Sequence, residues 1–224
     1  MLFRTEYVTF FYRNPLVAQN LPSPLLSLAT FQLEGIGSSA DRVWLSPYGV
    51  LQWTLMLDLP SRFNDDWVHL DAAVHIVSLA VVEACRPLLH VQHRHRLGLK
   101  WPNDIYLASE APGHLEKVGG IIVQLIPEKE PGGTQRILIG QLITLTYNMA
   151  NFLAPGCGLD VCNTRPLPAL EEFVDPQLRD GKLPMELVAA RIMARLSIVW
   201  EQFLKADFSF APFETQYTNA LLHK

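Results

Sequence analysis

The chain has 224 residues, of which 49% are hydrophobic and 18% are charged, and its formal net charge is −4. This length is enough for one sizeable core, and the mildly acidic balance gives no support for a general nucleic-acid binder. No apolar run approaches the roughly 20 residues of a membrane span. The three cysteines cannot form a disulfide framework, because one is always left over. Since the first residues also lack the order of a secretory signal, we expect a reducing compartment, most simply the cytoplasm.

In chain order, the first half of the sequence predicts two buried strands and one long helix. Residues 25–32 and 50–59 are short apolar runs bounded by proline and glycine, which is typical of buried strands. Between them, residues 35–41 are small and polar and predict a mobile loop. Residues 65–90 carry apolar side chains at helical spacing behind a cap sequence, and they predict a helix.

The second half predicts three more strands and a second helix. Residues 97–101, 118–125 and 136–140 have the composition of strands. Residues 184–205 predict a helix with one apolar face, made of Val188, Ile192, Leu196, Val199 and Phe203. Strands followed by helices on one side indicate an α+β fold, in which a mixed sheet carries its helices packed on one face.

An unusual combination of polar residues follows the strand predicted at 97–101. The stretch Lys100-Trp101-Pro102-Asn103-Asp104-Ile105 places an ammonium, an amide and a carboxylate side by side. Pro102 cannot continue a central strand, so these groups should lie in a turn at the edge of a sheet. Phosphate chemistry needs such groups together, with the carboxylate as a possible Mg²⁺ ligand. From these residues alone, a plain surface turn explains the pattern equally well.

The same hexapeptide resembles the signature of the biotin–protein ligases, which are also called holocarboxylase synthetases. Further segments resemble that family in the same order along the chain, from about residue 21 to the end. They are Gln32-Leu33-Glu34-Gly35-Ile36-Gly37 with Trp44-Leu45-Ser46-Pro47-Tyr48-Gly49, then Lys117-Val118-Gly119-Gly120-Ile121, and then Ile139-Gly140 with Cys157-Gly158-Leu159-Asp160-Val161. The resemblance implies a class II synthetase-like sheet. It also implies that residues 1–224 form one catalytic domain, incomplete at the N-terminus and without the family's small C-terminal barrel.

The resemblance implies a reaction as well as a fold. The family joins biotin to ATP, giving biotinyl-5'-AMP and pyrophosphate, and then transfers the biotinyl group to a lysine of a biotin-dependent carboxylase. It therefore implies ATP and Mg²⁺ as cofactors, biotin as the substrate and the acceptor domain of a carboxylase as the partner. Neither a nucleic acid nor a membrane is expected as a partner.

The resemblance also assigns roles to residues of this chain. It implies that Lys117, supported by Lys100, contacts the biotin carboxylate and the phosphate during catalysis. The nucleotide and Mg²⁺ positions fall on Asn103, Asp104, Asp160 and Trp44, with Asp104 as the metal ligand; for Trp44, ordinary core packing is an alternative. The biotin-binding positions fall on Gln32, Gly35, Gly119, Gly120 and Gly158. Glycine suits such positions because it lets a ligand approach the backbone closely.

Three departures from the family pattern bear on activity. Ile36 and Ser38 stand where the family has arginines, and this predicts an impaired first step. Residues 141–156 interrupt a strand that is continuous in the family, and we interpret them as a short in-frame intron retained in translation. Asp160 replaces the family's asparagine. Two alternatives stay open: a non-catalytic protein of the same fold that binds biotin, adenylate or a carboxylase, and a lipoate or octanoyl ligase.

Overall fold

The computed structural model describes residues 2–4, 15–29, 32–36, 43–46, 50–60, 67–108, 113–126, 135–142, 158–160, 170–176 and 183–223. Within these residues the first five strands are β1 (Leu2–Arg4), β2 (Leu25–Ala29), β3 (Gln32–Ile36), β4 (Val43–Ser46) and β5 (Val50–Asp58). The next five are β6 (Leu97–Lys100), β7 (Asp104–Ala108), β8 (Leu115–Ile126), β9 (Arg136–Leu142) and β10 (Gly158–Asp160). The α-helices are α1 (Pro15–Gln19), α2 (Trp67–Cys85), α3 (Met185–Lys205) and α4 (Glu214–Ala220).

Eight of these strands form one mixed sheet. Its order is β1-β2-β5-β10-β8-β7-β6, and β9 lies between β5 and β8. The pairing of β1 with β2 is parallel, whereas every other pairing in this sheet is antiparallel. The strands β3 and β4 form a separate antiparallel pair.

The long helices lie on one face of the sheet, as the sequence predicts. Residues of α2, α3 and α4 share a single buried core with Leu51 and Trp53 of β5. An ion pair between Arg195 and Glu83, at 2.7 Å, joins α3 to α2 at the border of that core. Because side chains alternate along a strand, Gln52, Thr54 and Met56 point to the opposite face.

The opposite face is covered at one end by the short helix α1. Ala18 of α1 packs with Met56, Leu25, Leu138 and Ile126 in a second, smaller cluster. Arg136 ties this end together, since its guanidinium donates to the carbonyls of Ala18 and Leu21 and pairs with Asp58 at 2.6 Å. The other end of this face carries the polar residues of the candidate site.

The observed elements correct several predicted boundaries. The strand predicted at 25–32 ends at Ala29, and Gln32 begins β3. Gly35 and Ile36 belong to β3, not to a loop, while residues 37–41 lie outside the described residues. The first long helix spans Trp67–Cys85 and is followed by a single 3₁₀ turn at Arg86–Leu88, since Pro87 cannot continue an α-helix. The strand β7 and the helix α4 are not among the elements that the sequence predicts.

The strands β9 and β10 share one strand position in the sheet, between β5 and β8, and we call this position the slot. On β5, Trp53 pairs with Gln141 and its neighbour Gln52 pairs with Gly158, where an uninterrupted strand would place residue 142. On β8, Ile121 pairs with Gln141 and Gly119 with Leu159, where residue 143 would otherwise stand. The register therefore jumps by 16 residues on both sides, which is the length of the segment 141–156 that the sequence marks as an interruption.

Candidate active site

The site is built around the turn between β6 and β7. Trp101 is 62% exposed at this turn, whereas Asn103 is held against β8. The side-chain amide of Asn103 donates to the carbonyl of Ile121 at 2.6 Å, and the amide of Ile121 donates to the carbonyl of Asn103 at 3.0 Å. From the helix face, the hydroxyl of Tyr217 in α4 donates to the carbonyl of Pro102 at 2.9 Å. The turn is therefore fixed from two directions at once.

A β-bulge in β8 decides where Lys117 lies. Asp104 pairs with Gly120 and Ile105 with Gly119, but Tyr106 pairs with Lys117, one residue beyond the regular register. This extra residue brings Lys117 onto the same face as Asp104 and Tyr106 and leaves Val118 buried in the core. The ammonium of Lys117 lies 2.5 Å from the carboxylate of Asp104, and their side chains are 16% and 25% exposed.

The second predicted catalytic lysine has a different environment. The ammonium of Lys100 lies over the ring of Tyr106, 5.0 Å from its centroid. Lys100 pairs with Asp104 through the backbone register of β6 and β7, but the ion pair of Asp104 is with Lys117. The two lysines thus lie near the same carboxylate, and Lys117 is the one that binds it.

The predicted biotin-binding glycines line up across the sheet. Asp104 on β7 pairs with Gly120 on β8, and Gly158 on β10 pairs with Gln52 on β5. On the β8 side Gly120 pairs with Leu142, at the point where β9 leaves the slot and β10 enters it. Gly119 lies between Ile105 and Leu159 in the adjacent row. Gly120 and Gly158 therefore lie between Asp104 and Gln52 in the sheet, with Leu142 of β9 as the other residue of this row.

One residue of this row is absent from the sequence prediction. Gln52 is fully buried, and both polar atoms of its side chain lack a hydrogen-bond partner among the described residues. A buried amide without partners costs free energy and is therefore uncommon in a folded protein. The signal in the sequence is a glutamine between two large apolar residues, Leu51 and Trp53, in the strand predicted at 50–59.

The remaining predicted residues are placed by their backbone alone. Gln32 begins β3 and pairs with Ser46, and Gly35 pairs with Trp44 across the small β3–β4 pair. Asp160 ends β10 and pairs with Val50 of β5, two residues from Gln52. Ser38 lies outside the described residues.

Aromatic residues support the turn from the helix face. The ring of Tyr217 packs against His75 of α2 at 4.7 Å and against Phe210 at 5.4 Å. Burial raises the pKa of Tyr217 to about 12, with the Asp71 carboxylate adding to the rise. Burial also lowers the pKa of His75, and the Asp71 carboxylate and the Pro102 carbonyl only partly oppose it. At neutral pH both groups are uncharged, so the support under the turn is neutral.

The predicted Mg²⁺ site has Asp104 as its protein carboxylate. Among the described residues there is no group of three or more His, Cys, Asp or Glu side chains that could hold a metal ion. A Mg²⁺ ion carried by nucleotide phosphates needs only one or two protein carboxylates, because it keeps several waters. Asp104 fits that mode of binding and does not fit a cage built by the protein alone.

An apolar cavity of about 410 Å³ lies away from this site, between the sheet and α3. It is lined by Leu26, Leu55 and Leu57 on the sheet and by Leu196, Trp200 and Leu204 on the helix. These residues border the helix-side core, on the face opposite to Gln52 and Asp104. The cavity is therefore not part of the candidate site.

In the part of the chain that the structure describes, no helix has both the length and the apolar character that crossing a membrane requires.

Comparison with solved structures gives the fold. Over its full length the chain is similar to a biotin protein ligase from Aquifex aeolicus in complex with biotin and ATP, with a TM-score of 0.64, 19% identity and 78% of that chain covered. It is also similar to the biotin protein ligase from Leishmania major in complex with biotinyl-5-AMP, with a TM-score of 0.53 and 21% identity, covering 91% of this chain and 78% of that one. These likenesses show the fold alone, the mixed sheet with its long helices on one face.

Comparison of sequences gives the family. The human biotin–protein ligase is 30% identical over 182 residues, which are 81% of this chain and 21% of that protein. The Schizosaccharomyces pombe biotin–protein ligase is 28% identical over 158 residues, which are 70% of this chain and 22% of that protein. The chain thus spans about a fifth of the length of the curated relatives it matches. Residues 5–141 match the sequence model of the biotin/lipoate A/B protein ligase family, and the chain belongs to that family.

Proposed function

We propose that this chain is the catalytic part of a biotin–protein ligase. It activates biotin with ATP to biotinyl-5'-AMP, releasing pyrophosphate, and transfers the biotinyl group to a lysine amine of a biotin-dependent carboxylase, releasing AMP. The observation that carries the proposal is the Lys117–Asp104 pair beside the glycine positions of β8 and β10. The family membership and the chemistry named for the relatives support it.

The position of Lys117 suits a reaction between two anions. The biotin carboxylate attacks the α-phosphorus of ATP, so negative charge accumulates where the two groups meet. An ammonium fixed at that place stabilises this charge without having to reorganise. The ion pair with Asp104 holds the ammonium of Lys117 in place. An incoming carboxylate and phosphate then meet a cation that is already in place.

The other residues of the site have supporting roles in this proposal. Asn103 uses its amide to fasten the turn to β8 and keeps its side-chain oxygen for a ligand. Gly119, Gly120 and Gly158 let the ligand lie on the backbone, and Lys100 adds positive charge on the phosphate side. Asp104 would supply the protein carboxylate for Mg²⁺ bound to the phosphates. Gln32, Gly35, Trp44 and Asp160 stay as predicted contacts to biotin and nucleotide.

The function is tested by incubating the chain with labelled biotin, ATP, Mg²⁺ and the acceptor domain of a carboxylase. The proposal expects biotin-dependent pyrophosphate release and then label on the acceptor lysine. Omission of ATP, and an acceptor with arginine in place of its lysine, are the controls. A chain that folds but neither releases pyrophosphate nor labels the acceptor would overturn the proposal.

A second candidate function is a domain that binds biotin or its adenylate without turnover. Ile36 and Ser38 in place of two arginines, together with the 16-residue interruption of the β9–β10 slot, favour it. Biotin binding without pyrophosphate release would support this alternative. Label transfer from lipoate or octanoate, and not from biotin, would instead support a lipoate or octanoyl ligase. The cytoplasmic location and the carboxylase partner stay predictions.

A further inference from the structure

Lys100 and Lys117 lie on the same face of the sheet, but their charges have different partners. Lys117 forms an ion pair with the carboxylate of Asp104. The ammonium of Lys100 lies 5.0 Å from the centroid of the Tyr106 ring, and among the described residues this ring is its partner. Two cations therefore share one carboxylate in this part of the site, and within the described residues no ion pair cancels the charge of Lys100.

The pairing of β6 with β7 explains why this lysine and this ring meet. Tyr106 is the diagonal neighbour of Lys100 on the same face, and long or aromatic side chains can bridge such a diagonal. The residue directly opposite Tyr106 is Gly98, which has no side chain. A Cβ at this glycine would lie 2.6 Å from the carbonyl oxygen of Ala220, so a larger residue does not fit. No side chain of β6 therefore competes with Lys100 for the space beside the ring.

An aromatic ring orients an ammonium without neutralising it. The attraction comes from the quadrupole of the ring, which carries no net charge. The full positive charge of Lys100 therefore stays available to an anion, whereas a carboxylate partner would offset much of it. Lys100 is exposed and Tyr106 is half-buried in the sheet. The ring is thus the fixed member of the pair, and the ammonium is the member that a ligand can reach.

We propose that the ring of Tyr106 positions the ammonium of Lys100 for the phosphates of ATP. The inference rests on the proposed function, since that function supplies the nucleotide. When a carboxylate oxygen of biotin bonds to the α-phosphorus, the bond from this phosphorus to the bridging oxygen breaks, and that oxygen leaves with the electron pair on pyrophosphate. A lysine that is already oriented toward these anions loses less conformational entropy when they bind. Tyr106 acts through Lys100 and is a positioning residue.

The test uses the full chain and separates the ring of Tyr106 from its hydroxyl. Tyr106→Leu removes both, whereas Tyr106→Phe removes the hydroxyl alone. Each variant is also combined with Lys100→Met, which keeps the apolar stem of the lysine and removes its charge. Titration calorimetry without biotin gives the dissociation constant of ATP, and biotin-dependent pyrophosphate release gives the KM for ATP and for biotin. Thermal unfolding without ligand gives the stability.

We expect Tyr106→Leu to raise the dissociation constant and the KM of ATP by about threefold to tenfold, with the KM for biotin unchanged. Tyr106→Phe should restore the parent values, because phenylalanine presents the same aromatic face to the ammonium. In the Lys100→Met background Tyr106→Leu should have no further effect, since the ring has no charge left to orient.

Several results would overturn the inference and leave the proposed function intact. They are an unchanged dissociation constant of ATP in Tyr106→Leu, an equal loss in Tyr106→Phe, an equal rise in the KM for biotin, and an additive effect in the Lys100→Met background. If Tyr106→Leu does not fold, Tyr106→Met removes the ring with an unbranched side chain and carries the same expectations. Failure of both variants to fold would assign the ring to folding and overturn the inference. A parent chain that releases no pyrophosphate from biotin and ATP would overturn the proposed function as well.

Discussion

The strands on the two sides of β8 differ in the number of contacts that fix them in the sheet. On the β7 side, the strand is continuous and its turn is fixed by Asn103, by Tyr217 and by the Lys117–Asp104 pair. On the other side, the slot is filled by β9 and β10, two strands that lie 16 residues apart in register. Lys117, the predicted catalytic cation, thus lies on a flank that several independent contacts hold in place. The predicted biotin contact at Gly158 and the predicted nucleotide contact at Asp160 lie on β10, the strand that follows the interruption.

This difference separates two kinds of residue at the site. A side chain such as Lys117 acts through its own charge, so its loss should affect chemistry more than folding. A residue such as Gly158 acts through the path of its backbone, so its contribution depends on where the chain re-enters the slot. The β7 side of β8 is the firm flank, and the side of β9 and β10 is the interrupted flank.

The largest effect is expected from Lys117→Ala. Removing the cation from the place where negative charge develops should cost roughly 2–4 kcal/mol in the activation step. Biotin-dependent pyrophosphate release should therefore fall by about 30-fold to 1000-fold. The matched control is Lys205→Ala, which breaks a surface-exposed pair with Glu201 on α3 and should leave the rate unchanged. Pyrophosphate release at the parent rate in Lys117→Ala would exclude this lysine from the mechanism.

Deletion of residues 141–156 addresses the interrupted flank. The deletion joins Gly140 to Cys157 and keeps Gly158 opposite Gln52, because the register jump and the deleted length are both 16 residues. Removing a loop of this length should stabilise the protein by about 2 kcal/mol through loop-closure entropy, measured as the free energy of unfolding in urea. It should also raise biotin affinity.

A deletion of residues 141–155 is the matched control for this prediction. This deletion removes one residue fewer, so Gly158 would be shifted by one position along β5. Every following side chain would then turn to the other face of the sheet. We expect this control to be less stable than the parent chain. Equal stability of the two deletion variants would contradict the continuity of the slot. Transcripts that contain only the longer form would contradict the separate hypothesis of a retained intron.

A smaller effect is expected from Tyr217→Phe on the firm flank. The substitution keeps the ring packing and removes the hydrogen bond to the Pro102 carbonyl. It should lower the free energy of unfolding by about 1 kcal/mol and raise the apparent KM for ATP several-fold, because the turn carrying Asp104 is less well fixed. Phe210→Leu loosens the same aromatic cluster and keeps the hydroxyl. An equal rise in KM for both variants would assign the effect to packing.

The smallest effect concerns pH and His75. Because burial depresses its pKa below the ordinary value of 6.5, the unfolded chain takes up a proton near pH 6.5 while the folded protein does not. Stability contributed by neutral His75 is therefore full above this pH and decreases as the pH falls below it. Urea unfolding of the parent and of His75→Gln at pH 8 and pH 5.5 measures the difference. The loss of stability on acidification should be smaller in the variant, and an equal loss in both would contradict this assignment.

Much of this protein is determined by its sequence alone. The apolar runs at 50–59, 97–101 and 118–125 and the periodicity at 184–205 correspond to β5, β6, β8 and α3, since strand and helix periods are written in the order of apolar residues. The motif around Lys100–Asp104 and the glycines at 119–120 indicate the region of the candidate site. The length of the segment 141–156 can also be read from the sequence, because the segment separates Ile139-Gly140 from Cys157-Gly158 within one motif.

Only the tertiary structure decides how these parts meet. The β-bulge that turns Lys117 toward Asp104 depends on the pairing of β7 with β8, and local sequence does not determine pairing. The support of Pro102 by Tyr217 joins residues 115 positions apart. The row from Asp104 to Gln52 unites four strands, so no window of the sequence contains it. Gln52 looks like an isolated polar residue in a buried strand until the sheet places it in the row that contains Gly158. Side-chain identity is local, but the face, the register and the neighbour of each side chain are properties of the assembled sheet.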